Sequence, residues 1–144
     1  MRGDKKLLYA DAYVEVTFSS TEGVTRLVRS GTPYPDLSAV RRSYEALLKS
    51  LSLGLFGQKS PFLIVDMRTA PARNDPQFEE TQKEYRQCLL ARFARIATLV
   101  STRAGLLHVQ RYSREDGTQN IHGFLSENDA LHYLRAGETP KSAV

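Results

Sequence analysis

Apolar and polar residues alternate with a period of two from Ala12 to Phe18. Tyr13, Glu15 and Thr17 fall on one side; Val14, Val16 and Phe18 fall on the other. That pattern predicts a half-buried strand, taken here as one segment over residues 7–18. Ser19-Ser20-Thr21-Glu22-Gly23 follows as a turn. Alternation resumes from Val24 to Arg29, with Val24, Arg26 and Val28 opposing Thr25, Leu27 and Arg29. The two segments predict an antiparallel hairpin. Past Gly31-Thr32-Pro33-Tyr34-Pro35 the period changes. Leu37, Val40, Tyr44, Leu47, Leu48 and Leu51 form a one-sided stripe, which predicts a helix capped by Asp36 and ended near Leu53 by Gly54 and Gly57.

The apolar run Phe62 to Val65 stops abruptly at Asp66. A run this short, between a proline and a charge, predicts a strand buried on both faces. A polar loop carrying Arg68, Arg73 and Asn74 leads to Asp75-Pro76. Asp75 suits a helix cap, and Pro76 suits the first helical position, where no amide bond is lost. The helix runs to about Arg92, with Phe78, Tyr85, Cys88, Leu89 and Phe93 inward, so Cys88 is expected to be buried. Ile96 to Val100 is the next buried strand. Leu106, Val109 and Tyr112 predict a helix over 105–115, and Asp116-Gly117 a turn. Ile121 to Leu125 is a short strand. Ser126-Glu127-Asn128-Asp129 resembles a capping box before a helix with Ala130, Leu131 and Leu134 inward, closed by Gly137. The predicted order is ββαβαβαβα. The strand–helix–strand crossover predicts that Phe62–Val65 and Ile96–Val100 are adjacent and parallel.

The chain of 144 residues suits one α/β domain over 7–137, with flexible tails at 1–6 and 138–144. No apolar stretch approaches the ~20 residues of a membrane helix, and Met1 to Lys6 offers no apolar signal region. A cytoplasmic protein is expected. The net charge of +4 would permit nucleic-acid binding, but acids and bases are interspersed, so no nucleic acid is expected. A lone cysteine excludes an internal disulfide and a Cys-rich metal cage. His108, His122 and His132 lack metal-ligand spacing. Neither a Gly-x-Ser-x-Gly elbow nor a glycine-rich phosphate loop is present. No metal, cofactor or catalysis is expected.

The element order, Phe62-Leu-Ile-Val-Asp66 and the segment Phe124 to Leu134 together resemble the STAS-like superfamily. Within it, the likeness is to small stand-alone bacterial SpoIIAA-like (STAS/SEC14) proteins, over most of residues 7–136. The resemblance implies a single STAS-like domain: a mixed sheet of four to five strands with four helices mostly on one face. It also implies a regulatory, non-catalytic signalling role exercised by binding a protein partner. One departure stands out. Anti-anti-sigma members carry a phosphorylatable Ser or Thr beside the helix after the central strand, in an Asp-Ser-Ser-Gly-like context. Here the loop Met67 to Asp75 has only the hydroxyl of Thr69, and the cap position is the permanently acidic Asp75. A kinase-switched cycle of the usual kind is not expected. Asp75 is read either as an ordinary cap or as a fixed stand-in for a phosphate.

Candidate chemistry gathers at the loops after the two central strands: Asp66, Arg68, Arg73, Asn74, Asp75 and Arg103. With parallel neighbouring strands, these residues lie along one sheet edge beside the free amides of a helix. One reading is an anion- or partner-binding site. The other is that the arginines pair with Asp66, Asp75 and the Glu79–Glu80 pair and fix the loop. Partner binding leads, with a small-molecule or anion sensor as the alternative and an enzyme third.

Overall fold

The computed structural model describes residues 5–56, 61–73, 75–117 and 119–138. Gly57, Asn74 and the outer parts of both expected tails lie outside these. Among the described residues the elements are β1 (Lys5–Ala10), β2 (Val14–Ser19), β3 (Val24–Arg29), α1 (Leu37–Gly54), β4 (Phe62–Asp66), α2 (Pro76–Arg92), β5 (Arg95–Leu99), α3 (Arg103–Glu115), β6 (Ile121–Phe124) and α4 (Glu127–Ala136). The sheet has six strands, in the order β1-β2-β3-β4-β5-β6. That corrects the expected four to five.

The extra strand comes from residues 7–18, which fold as two strands rather than one. Asp11 makes the corner. Its Oδ1 accepts from the amides of Tyr13 at 2.8 Å and Val14 at 3.0 Å, and its own amide donates to the Val14 carbonyl at 2.9 Å. An aspartate bonded to the backbone ahead of it replaces an extended strand with a turn. Lys5 and Lys6, expected in a flexible tail, belong to β1. A register shift between Leu7 and Tyr9 bends that strand.

β1, β2 and β3 form an antiparallel meander, and β3 through β6 are parallel. The predicted parallel neighbours are present, with Leu63 opposite Ile96. Gly23, at φ 69°, turns the chain from β2 into β3. Each of α1, α2 and α3 connects one parallel strand to the next on the same side, as successive right-handed crossovers in one direction require. There, Leu27, Leu63, Ile96 and Ile121 pack with Leu47 and Leu51 of α1, Leu89 of α2 and Val109 of α3. The opposite side carries α4, with Val24, Ile64, Leu99 and Phe124 against Ala130, Tyr133 and Leu134.

All four helices have side-chain caps. Asp36 accepts from the Ala39 amide, Asp75 from Phe78, Thr102 from Gly105 and Ser126 from Asp129. Because β3 to β6 are parallel, these four helix starts lie along one edge, at the carboxyl ends of the strands. Cys88 departs from its expected place and is exposed. The buried stripe of α2 is Thr81, Tyr85 and Leu89. Cys88 lies about 100° around the helix from Leu89, which turns the thiol off that stripe.

Candidate functional site

β4 ends in Asp66, whose register places it on the α4 side of the sheet, opposite Leu99. Arg68 turns back onto it through two parallel bonds, Nε to Oδ1 at 3.0 Å and Nη2 to Oδ2 at 2.7 Å. The Arg68 amide adds a third at 3.1 Å. The Arg68 hydrogen bonds hold the Asp66 carboxyl below the usual carboxylate range, against the opposing effect of burial. Glu127, at the start of α4, also acts on Arg68 and lies 3.8 Å from Nε of Arg26. Arg26 is in turn paired with Glu22 at 2.6 Å.

Arg73 belongs to the other side of the sheet. Its Nε donates to Asp75 at 2.7 Å and its Nη1 to the Tyr34 carbonyl at 3.2 Å. The guanidinium lies 4.6 Å from the centre of the Phe78 ring. The hydrogen bond from Arg73 holds the Asp75 carboxyl below its ordinary value, while Oδ2 accepts from the Phe78 amide at 3.3 Å. Arg103 begins α3, is exposed and makes no ion pair with a described residue.

The predicted residues therefore share an edge without sharing partners. Arg68 is satisfied by Asp66, Arg73 by Asp75, and Arg103 stands apart; Asn74 lies outside the described residues. Among the described residues no group of three or more His, Cys, Asp or Glu is arranged to hold a metal ion. His108 meets Arg111 at 2.9 Å, and His122 packs on Tyr133 with ring centres 4.7 Å apart.

The most buried polar cluster of the edge was not singled out by the sequence pattern. Arg29 ends β3 at 3% exposure, its guanidinium 4.3 Å from the centre of the Tyr34 ring. Tyr13 lies against the same ring at 4.5 Å. Below them, Asp11 accepts from the Tyr9 hydroxyl at 2.7 Å and the Ser43 hydroxyl at 2.8 Å. Burial pushes the Asp11 carboxyl up, but these hydroxyls and the two turn amides outweigh it and hold the group below its ordinary value. The signal for this cluster was present in the alternation of β3. Arg29 occupies the same side as Thr25 and Leu27, so it is a charge at a core position.

No family model matches this chain, and no curated protein matches it by sequence. A solved structure does match: an uncharacterized protein of the DUF3478 family with a SpoIIAA-like fold, from Shewanella loihica PV-4. The match has a TM-score of 0.56 at 13% identity and covers 90% of this chain and 91% of that one. The fold is SpoIIAA-like. The resemblance drawn from the element order is correct at this level, with six strands where fewer were expected. In this SpoIIAA-like fold the end of β4 and the loop after it hold the two arginine–aspartate pairs. Thr69 is exposed there, with its methyl group close to Gly31.

Proposed function

We propose that this SpoIIAA-like domain is a cytoplasmic regulatory module that binds a protein partner, without catalysis, through the carboxyl edge of its parallel strands. The observation that carries this reading is the composition of that edge toward β6. Arg103 is exposed, Leu107 follows one turn later at 65% exposure, and Leu125, just past β6, is 46% exposed. Apolar side chains beside a solvated charge suit a protein interface. The internal pairing of Arg68 and Arg73 supports the same reading, because arginines already neutralised by carboxylates are poor receptors for a free anion. Asp66 and Asp75 are both held low, which makes them weak proton acceptors near neutrality.

The test is affinity capture of the tagged protein from its own cells, comparing wild type with two double variants. Leu107→Ser with Leu125→Ser should abolish capture of the partner while leaving the melting temperature within a few degrees. Leu53→Ser with Phe56→Ser alters the other strongly exposed apolar pair, at the far end of α1 (71% and 88% exposed), and should leave capture intact. If only the second pair matters, the partner binds the opposite end of the molecule and this assignment fails.

A further inference from the structure

The end of β3 holds a cation without an anion. A guanidinium carries five N–H groups. In Arg29, Nε donates to the Tyr13 carbonyl at 3.0 Å and Nη2 to the Thr32 carbonyl at 3.4 Å. Nη1 donates to no described residue, and no carboxylate among the described residues pairs with it. Asp11 is the acid of this neighbourhood, and it is occupied by Tyr9, Ser43 and two amides. Burying a charge without a counter-ion is costly, and at 3% exposure water offers Arg29 little compensation.

A second observation points the same way. The Tyr34 hydroxyl, on a side chain only 5% exposed, has no hydrogen-bond partner. Ser43 is its polar neighbour; the Ser43 proton goes to Asp11 at 2.8 Å, so toward Tyr34 the Ser43 oxygen is an acceptor, outside hydrogen-bond geometry as the side chains stand. The Tyr34 ring lies 6.3 Å from that of Phe78, one helical turn before Gln82. The amide nitrogen of Gln82 is also buried without a partner, while its oxygen accepts from Tyr44 at 3.1 Å. The unused groups between β3, α1 and α2 are thus donors accompanied by a positive charge. Their complement is a compact group rich in acceptors and negatively charged.

We infer that the end of β3 is a binding subsite for a small oxyanion, a carboxylate or a phosphate, held by the Arg29 guanidinium and the Tyr34 hydroxyl. The subsite centres on the end of β3, touching the loop after β4 only where Arg73 donates to the Tyr34 carbonyl, and it does not depend on the partner reading above. Arg29 supplies the charge and a planar fork, which suits both anion classes. Tyr34 supplies a neutral donor whose hydroxyl makes no hydrogen bond of good geometry in the folded chain.

The test is titration of the ¹⁵N-labelled full chain with inorganic phosphate and, separately, with succinate, at an ionic strength held constant with sodium chloride. Saturable shifts are expected at the amides of Arg29 to Thr32, Tyr34, Ser43 and Tyr44, together with a rise in melting temperature. Response to one titrant alone identifies the anion class. Tyr34→Phe removes only an unpartnered hydroxyl, so the fold should be unharmed while affinity falls roughly tenfold. Arg29→Lys keeps the charge, loses the fork and should also weaken binding. The inference is overturned if neither anion gives saturable shifts. It is also overturned if Tyr34→Phe binds as wild type does, or if the shifts centre on Arg103.

Discussion

One carboxylate, Asp11, joins β1 to β2 and ties both to α1 through Tyr9 and Ser43. Replacing it with Ala removes the turn acceptor and leaves two hydroxyls without it. The expected loss is about 1–2 kcal/mol in a urea melt. Its pH dependence has a definite sign. The folded carboxyl lies below the ordinary value of 3.8, so its stabilisation is present above that value and is lost as pH falls through the lower folded one. Asp11→Asn should therefore flatten the acid limb of the stability profile below about pH 4. In the other direction, burial first, then the hydrogen bond to Asp11 and its charge push the Tyr9 phenol up to about 12, so it stays a donor across the physiological range. Single residues were the least legible feature in the sequence. Asp11 lay unremarked inside the single strand expected over residues 7–18, just ahead of the alternation that begins at Ala12, because its effect lies in the backbone bonds its side chain makes. Cys88 looked buried because a helical stripe read from a few positions is uncertain by one residue on either flank.

Helices were legible because their starts are chemically marked. Asp36, Asp75 and Ser126 each cap the helix predicted for them, and Pro76 sits where proline costs no bond. Asp75→Ala should lower the stability of the domain through loss of the α2 cap, measurable as an earlier midpoint in chemical denaturation, and it should also free Arg73 from its acid. The same loop lacks the usual phosphoacceptor context, so intact-protein mass spectra from cells should show no stoichiometric phosphate at Thr69. Between elements, Gly123 sets how closely α3 lies on β6. A Cβ there would meet Leu106 at 3.0 Å and Val109 at 3.1 Å, and Val109 is stiff at its branch point. Gly123→Val should force the helix outward and cost about 1–3 kcal/mol, with the loss appearing as earlier thermal unfolding. That constraint was invisible in the sequence, where Gly123 interrupts a short apolar segment without saying which neighbour approaches it.

At the scale of the whole molecule the two sides of the sheet are unequally covered. Among the described residues three helices pack on one side, while α4 alone covers Ile64, Leu99 and Phe124 on the other. Leu134 is completely buried there, and Leu134→Ala should cost about 2–5 kcal/mol in an equilibrium melt. The α/β class and the parallel centre followed from the order of elements, since helical crossovers leave few alternatives. The strand count did not follow, because it turned on the corner at Asp11. Nor did the division of the candidate site, because the sequence shows which charges share an edge but not which of them satisfy one another. The sheet's simple order has a consequence for synthesis. Every strand lies beside the one translated just before it, so on the ribosome a strand need not wait for a partner still to be made. The sheet can lengthen by accretion from β1 as the nascent chain emerges. What arrives late is the cover for its second side: until α4 clears the exit tunnel, Ile64, Leu99 and Phe124 remain open to water and to whatever chaperone attends the growing chain.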